Sequence, residues 1–388
     1  MSRVRWVHVI TSFASDNYAP AHPDVLEAIA EANEAYAPAY AADAWTERLD
    51  ERVEEIFGWG SLAFPVLNGT GANVVSLMAA APRWGAVVAT DVSHINTDEN
   101  AAPERVGGLK LLTQASGEEG KLTAADIEAW RADLGNVHRA QPAVVSITQA
   151  TEVGTVYRPG ELRELADTAH ELGLAVHMDG SRLANAAAYM GCGMRDIVTE
   201  VGVDLLSLGA AKNGGLFGEA VVVLGPGDAT TSFSAEVRRQ AAAAVPYLRK
   251  STMQLASKTR FISAQLLALL GEPASYAGGR VPVEQRLWLR NARHANEMAQ
   301  RLREAVEAIP GGVVVPTRPT EANAVFATLP RAVADAARAE YAFYDWGPGE
   351  TADRVEARWM CSWCTTPDEV DAFAQALALA AVKASPTA

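Results

Sequence analysis

Cysteine is scarce in this sequence: Cys192, Cys361 and Cys364 are the whole set among 388 residues. So odd and sparse a complement argues against a disulfide framework. Cys361 and Cys364 form a C-x-x-C pair, but a structural zinc site needs four ligands, and no second C-x-x-C or H-x-x-x-H follows. The pair also lacks a thioredoxin-like context. The two thiols are therefore expected to be small buried groups within a strand, with no metal. Positive charge is in deficit as well. The 33 Lys and Arg against 47 Asp and Glu leave a net charge of -14, which argues against a nucleic-acid groove or an anionic membrane surface as partner. No window approaches the ~20 apolar residues of a membrane span. Arg3 and Arg5 precede only the short apolar piece WVHVI before Asp16 interrupts. That is too short for a signal-peptide core, so a cytoplasmic protein is expected.

Apolar residues are plentiful instead: 49% hydrophobic against 21% charged is the balance of a globular protein with a large core, and the length suits two domains. Short apolar runs such as GAVVAT, PAVVSIT, LAVHMD, VDLLSL and EAVVVLG alternate with helical patterns such as VLEAIAEANEAY, the helix opened by Thr123 and Asp126, and GELRELADTAHELG. This alternation predicts an α/β fold with a mostly parallel sheet covered by helices on both faces. Small residues from Ala274 to Gly279 mark a linker. Beyond it come a long amphipathic helix, the strands GGVVVP, ANAVFATLP and VEARWMCSWC, a helix from Arg331 to Tyr341 and a capped terminal helix. The expected division is an arm over 1–22, a large domain over 23–278 and a smaller α/β domain over 279–388.

The chemistry concentrates between His177 and Gly215. Asp179 ends one apolar run, Lys212 stands just past the next, and a helix-like crossover joins them. Successive parallel strand ends open on one sheet edge, so carboxylate and amine would meet in one crevice. That pairing suits pyridoxal phosphate, which needs a lysine for a Schiff base and an acid to keep its pyridine nitrogen protonated. Upstream, the strand from Leu62 to Leu67 runs into Asn68-Gly69-Thr70-Gly71-Ala72-Asn73 and then a helix. Glycines at such a turn expose N–H groups that cradle a phosphate. Val74 breaks the G-x-G-x-x-G pattern, and the lysine of a P-loop is missing, which disfavours nucleotides.

HMDGSRLANA and LSLGAAKNGG, with the glycine turn and SHINTDENAAPE, resemble the threonine aldolase family of the aspartate-aminotransferase-like, fold-type I pyridoxal phosphate enzymes. The resemblance covers nearly the whole chain. It implies pyridoxal 5'-phosphate held by Gly69, Thr70, Asp179, Arg182 and Lys212, with His94 stacked on its ring and Glu99 supporting the histidine. It implies Ser15, Tyr40, Arg182 and Arg358 at the substrate, with Asp43 near them, and Lys250 and Lys258 reaching the phosphate of a neighbouring subunit in a homodimer or homotetramer. Lys212, His94 and Glu152 would be catalytic. One branch of the family has a histidine near the place of Glu152, so the base for the substrate hydroxyl stays open. From the residues alone each role has a plainer alternative: Ser15 a cap, Arg182 a surface ion pair, Lys250 and Lys258 exposed helix lysines, Arg358 an ordinary strand arginine, Glu152 a solvated glutamate. The implied activity is reversible retro-aldol cleavage of L-threonine, L-allo-threonine or related β-hydroxy-α-amino acids to glycine and an aldehyde. β-Elimination, transaldol transfer, transamination and a non-catalytic regulatory domain are the alternatives.

Overall fold

The computed structural model describes residues 11–227, 230–271 and 281–384. The opening apolar piece WVHVI and the linker at Ala274 to Gly279 lie outside them. The chain forms two compact units, Pro20–Arg290 and Met1–Ala19 with Asn291–Ala388; the sequence reading places its boundaries at residues 22 and 278.

In the first unit the order is α1 (Pro23–Glu31), α2 (Ala44–Phe57), β1 (Leu62–Val66), α3 (Gly69–Ala80), β2 (Gly85–Thr90), α4 (His94–Thr97), α5 (Ala102–Arg105), β3 (Lys110–Gln114), α6 (Ala124–Glu128), β4 (Gln141–Thr148), α7 (Pro159–Glu171), β5 (Ala175–Gly180), α8 (Leu183–Met190), β6 (Leu205–Leu208), β7 (Glu219–Val223), α9 (Ser232–Ser251) and α10 (Arg260–Leu269). The seven strands lie in the order β1-β7-β6-β5-β4-β2-β3. The neighbours from β3 to β6 are parallel, while β7 runs antiparallel to both β6 and β1. The ten residues between β6 and β7 are fewer than the dozen or so that a parallel return needs. Every residue of β2 and β5 is buried. Strands covered on both faces must be apolar throughout, which is why these two read as continuous runs.

One local expectation gives way here. The first helix stops at Glu31 rather than Tyr36, because Asn33 and Glu34 donate to residues three back, Ala30 and Glu31, and Pro38 follows. Past β4 the chain is irregular, with Thr155 N donating to Thr151 Oγ1 and Tyr157 N to Gln149 Oε1. The capping box that opens α6 is present, with Thr123 N donating to Asp126 Oδ2 at 2.7 Å.

The second unit contains α11 (Leu287–Glu307) from Asn291 onward, β8 (Val315–Pro316), β9 (Ala324–Pro330), α12 (Arg331–Arg338), β10 (Tyr344–Pro348), β11 (Arg354–Met360) and α13 (Pro367–Ala384). Its antiparallel sheet runs β10-β11-β9-β8. Phe13 is built into its core: it stacks on Phe373 at 4.5 Å, and Phe373 meets Phe343 and Trp359. Strand β10 was hidden from the sequence reading by Gly347 and Pro348. α12 ends at Arg338, three residues before Tyr341, where Glu340 N turns back to Ala337 O. The cysteine pair is also corrected. β11 stops at Met360, so Cys361 lies buried just past the strand and Cys364 half-buried in the turn that Ser362 N and Thr365 Oγ1 close. All three cysteines are free. No helix among the described residues is long and apolar enough to cross a membrane.

Candidate active site

Strands β2, β4, β5 and β6 are parallel, so their C-terminal ends open on one edge of the large sheet. Asp179 sits at that end of β5 and is buried. Its Oδ1 accepts from Ser181 N at 2.9 Å and Ser181 Oγ at 2.6 Å, and its Oδ2 accepts from Asn73 Nδ2 at 2.9 Å. Burial alone would raise this carboxyl's pKa. The Lys212 charge and the Ser181 and Asn73 hydrogen bonds outweigh burial and hold it below the usual carboxylate value.

Asn73 extends the set. Its Nδ2 also donates to Glu99 Oε1 at 2.8 Å, and His94 Nδ1 meets the same oxygen at 2.9 Å. The result is a continuous chain from the His94 imidazole through Glu99 and Asn73 to Asp179. The Glu99 hydrogen bond, opposed by burial and assisted by the Asp179 charge, raises the His94 pKa. His94 begins α4, and its main-chain N–H donates to Glu152 Oε1 at 2.7 Å, an oxygen that also accepts from Thr148 Oγ1 at 2.8 Å. Burial pushes the Glu152 carboxyl up against those hydrogen bonds. Its other oxygen, Oε2, is sealed from solvent with no hydrogen-bond partner among the described residues, as are Glu99 Oε2 and Asn73 Oδ1. Ligand atoms of His94, Glu99 and Asp179 lie within 4.8 Å of one another, but the Asn73 amide already donates into that space.

Lys212 lies in the single turn Ala211–Asn213 that follows β6. Gly209, at the strand exit, must be glycine because a Cβ there would come within 2.7 Å of the Ser181 main chain. That close approach brings the Asp179 and Lys212 loops together. The glycine turn behaves as its composition suggests. Asn68 Oδ1 caps α3 by accepting from Gly71 N at 2.7 Å, so Gly69 and Thr70 head a twelve-residue helix whose first-turn N–H groups have no intrahelical acceptor. A Cβ at Gly69 would meet nothing within 4 Å. Arg182, half-exposed, is the residue from which α8 starts.

A pyridoxal phosphate group fits this donor set. Asp179 is an ionised buried carboxylate suited to a protonated ring nitrogen, Lys212 is an amine beside it, and the α3 N-terminus is an open anion cradle.

Other expected residues lie outside this hydrogen-bonded group. Tyr40 is exposed, with φ 59° and its N–H bonded to Ser257 O; Lys250 Nζ lies 4.4 Å from its ring centroid. Lys258 lines a cleft of about 750 Å³ with Tyr36, Ala39, Ser257 and Arg260. Asp43 caps α2, accepting from Thr46 N at 2.9 Å. In the second unit, Ser15 Oγ accepts from Asn17 N at 3.2 Å. Arg358 Nη2 donates to Ala14 O at 3.4 Å while its guanidinium lies 4.6 Å from the Trp346 ring centroid.

Neither Asn73 nor Glu219 is assigned a role by the motifs of the sequence. Both carried a signal. Asn73 is an amide in a largely apolar helix and Glu219 an acid opening an apolar strand, and buried polar groups demand partners.

The sequence matches the β-eliminating lyase family over residues 12–330. It is 38% identical over 369 residues to the low specificity L-threonine aldolase of Pseudomonas aeruginosa, covering 95% of this chain and 97% of that one. A threonine aldolase of Leishmania major superposes with a TM-score of 0.83 at 26% identity, over 96% of this chain and 99% of that one. An aspartate aminotransferase of Rhodobacter sphaeroides, 15% identical with a TM-score of 0.64 over 99% of this chain and 96% of that one, shares the fold alone. By its match over residues 12–330, the chain belongs to the β-eliminating lyase family.

Proposed function

We propose that this chain is a pyridoxal phosphate-dependent lyase that cleaves L-threonine, L-allo-threonine and related β-hydroxy-α-amino acids reversibly to glycine and an aldehyde. The observation that carries the site is the buried chain from His94 through Glu99 and Asn73 to Asp179, with Lys212 acting on the same carboxylate. The full-length likeness to a low specificity L-threonine aldolase supports the choice of reaction.

When bound, pyridoxal phosphate supplies the electron sink for the broken Cα–Cβ bond. Asp179 would hold its ring nitrogen, Lys212 its aldehyde carbon, Gly69 and Thr70 its phosphate, and His94 its ring face, with Arg182 beside them. Glu99 engages His94 Nδ1, which leaves Nε2 to take the proton of the β-hydroxyl. Glu152 is the other candidate base. One of its oxygens is committed to the His94 main chain and Thr148, and the other is sealed, so we assign it to fixing His94. Arg358 would pair its planar fork with the substrate carboxylate, with Ser15, Arg182 and Tyr40 completing the binding set. We further propose a cytoplasmic homodimer or homotetramer in which Lys250 and Lys258 reach the phosphate of a second copy. The three free thiols suit a reducing compartment.

Incubation with pyridoxal phosphate and L-threonine, L-allo-threonine or phenylserine is expected to give glycine and the matching aldehyde. Ammonia without glycine would overturn the aldolase assignment. Lys212→Ala is expected to abolish the borohydride-reducible adduct and to lower turnover by at least ~10³-fold. An adduct persisting at another lysine would refute the assignment of Lys212.

A further inference from the structure

Glu219 opens β7 opposite Val66 of β1, and its side chain is buried. A carboxylate taken out of water is costly unless hydrogen bonds and opposite charge compensate it. The compensation here comes from the segment that carries Lys212. Glu219 Oε2 accepts from Ala210 N, and Oε1 accepts from Ala211 N at 3.4 Å. These are the two residues immediately before the lysine. The rest of the turn is already fixed: Asn213 N and Gly215 N both donate to Ala210 O at 3.0 Å, and Asn213 Nδ2 donates to Trp288 O at 2.9 Å. Shape alone could therefore have been held by a neutral group. A carboxylate adds a charge, and that charge acts on Lys212 from a different strand than Asp179 does.

We propose that Glu219 is a positioning residue for Lys212: its carboxylate clamps the Ala210 and Ala211 main chain and, when ionised, sets a negative charge near the amine, favouring the protonated form of that nitrogen. The inference rests on the reading of Lys212 as the cofactor lysine. Burial drives the Glu219 carboxyl up to about 7, with the Ala210 N–H, the Lys212 charge and the Ala211 N–H opposing the rise and the Asp179 charge adding to it. The clamp is thus ionised above neutrality and loses its charge below it.

The test is Glu219→Gln in the cofactor-loaded protein, which keeps an acceptor for the turn and removes the charge. The pH midpoint of the visible absorption change is expected to fall by about one unit, because a lost negative neighbour disfavours a cation. In the cofactor-free protein, trace acetylation of Lys212 read by mass spectrometry is expected to speed up several-fold at a fixed pH below the lysine pKa. A reducible adduct at Lys212 with an unmoved midpoint, or unchanged acetylation, overturns the inference and leaves the Lys212 assignment standing. An adduct at another lysine overturns both. If Glu219→Gln does not fold, Glu219→Asp carries the test, with charge kept and reach shortened. It must hold the parent midpoint while loading cofactor more slowly, and a displaced midpoint or unaltered loading overturns the clamp.

Discussion

The middle and the end of β5 lie two residues apart and answer burial in opposite ways. His177 and Asp179 point to the same face of one strand, and both are buried, at 0% and 3% exposure. At His177 burial wins and drives the pKa down to about 4, against the pull of the Asp179 charge. Its ring nitrogens meet Ser146 Oγ and Ser207 Oγ at 2.9 Å each. Hydroxyls donate or accept as required, so they satisfy a neutral imidazole and give it no charge to pair with. At Asp179 burial loses, because Lys212 and the Ser181 and Asn73 donors stabilise the ionised form. Equal desolvation therefore gives a neutral, structural base in the sheet interior and an ionised acid at the strand end. Partners decide which becomes a site.

The sharpest way to break that contrast is to make the end resemble the middle. Asp179→Asn keeps an oxygen to accept from Ser181 but removes the charge. Turnover is expected to fall on the order of 10²–10³-fold, the scale of losing one preorganised electrostatic contact, with the circular dichroism of the parent retained. Near-parent turnover would show that the charge at the strand end is idle.

A second prediction separates the two residues by pH. The folded His177 stays neutral down to about 4, whereas the unfolded chain takes up that proton below its ordinary value of 6.5. The unfolded state then binds more protons, so stability is lost as pH falls from 6.5 towards 4, by about 3 kcal/mol in all. Asp179 acts lower: its folded pKa lies under 3.8, so its stabilising contribution is intact above that value and fades only beneath it. Glu219 slopes the other way across the same window, since its folded carboxyl holds a proton up to about 7 while the unfolded one releases it near 4.5. The measurement is therefore a difference, the urea-unfolding free energy of parent minus His177→Asn followed from about pH 7 to pH 4. A flat difference would mean that His177 titrates normally and that burial does not dominate there.

The strand end was far more legible in the sequence than the contacts that make it work. Asp179, Lys212 and the glycine turn each stand where an apolar run meets small residues, a local signal. The alternation of runs likewise announced the parallel sheet, and the short β6 to β7 link held the clue to the antiparallel exception. The role of Asn73 was not legible, because its partners Glu99 and Asp179 are 26 and 106 residues away and only the folded sheet brings them together. Glu219 was masked in the same way: the acid that opens EAVVV reads as a strand terminus until its hydrogen bonds to the Ala210 and Ala211 N–H groups are seen. β10 failed for a different reason, since its pairing with β11 is interrupted between Asp345 and Gly347 and leaves no clean alternation.

The smallest expected effect tests whether the middle of β5 is structural only. Ser207 faces Asp179 across the β5 and β6 ladder by register, so a purely topological argument would give it a part in the site. Its hydroxyl is instead used by His177 Nε2 at 2.9 Å. Ser207→Ala leaves one imidazole nitrogen buried without a partner and is expected to cost about 1–2 kcal/mol of stability. Every hydrogen bond to the Asp179 carboxylate remains, so turnover at saturating substrate should stay close to the parent's. Thermal unfolding and kcat measured on the same preparation decide the matter. A fall in kcat without a fall in stability would mean that the serine and histidine ladder reaches Asp179 after all, joining the two regions into one electrostatic unit.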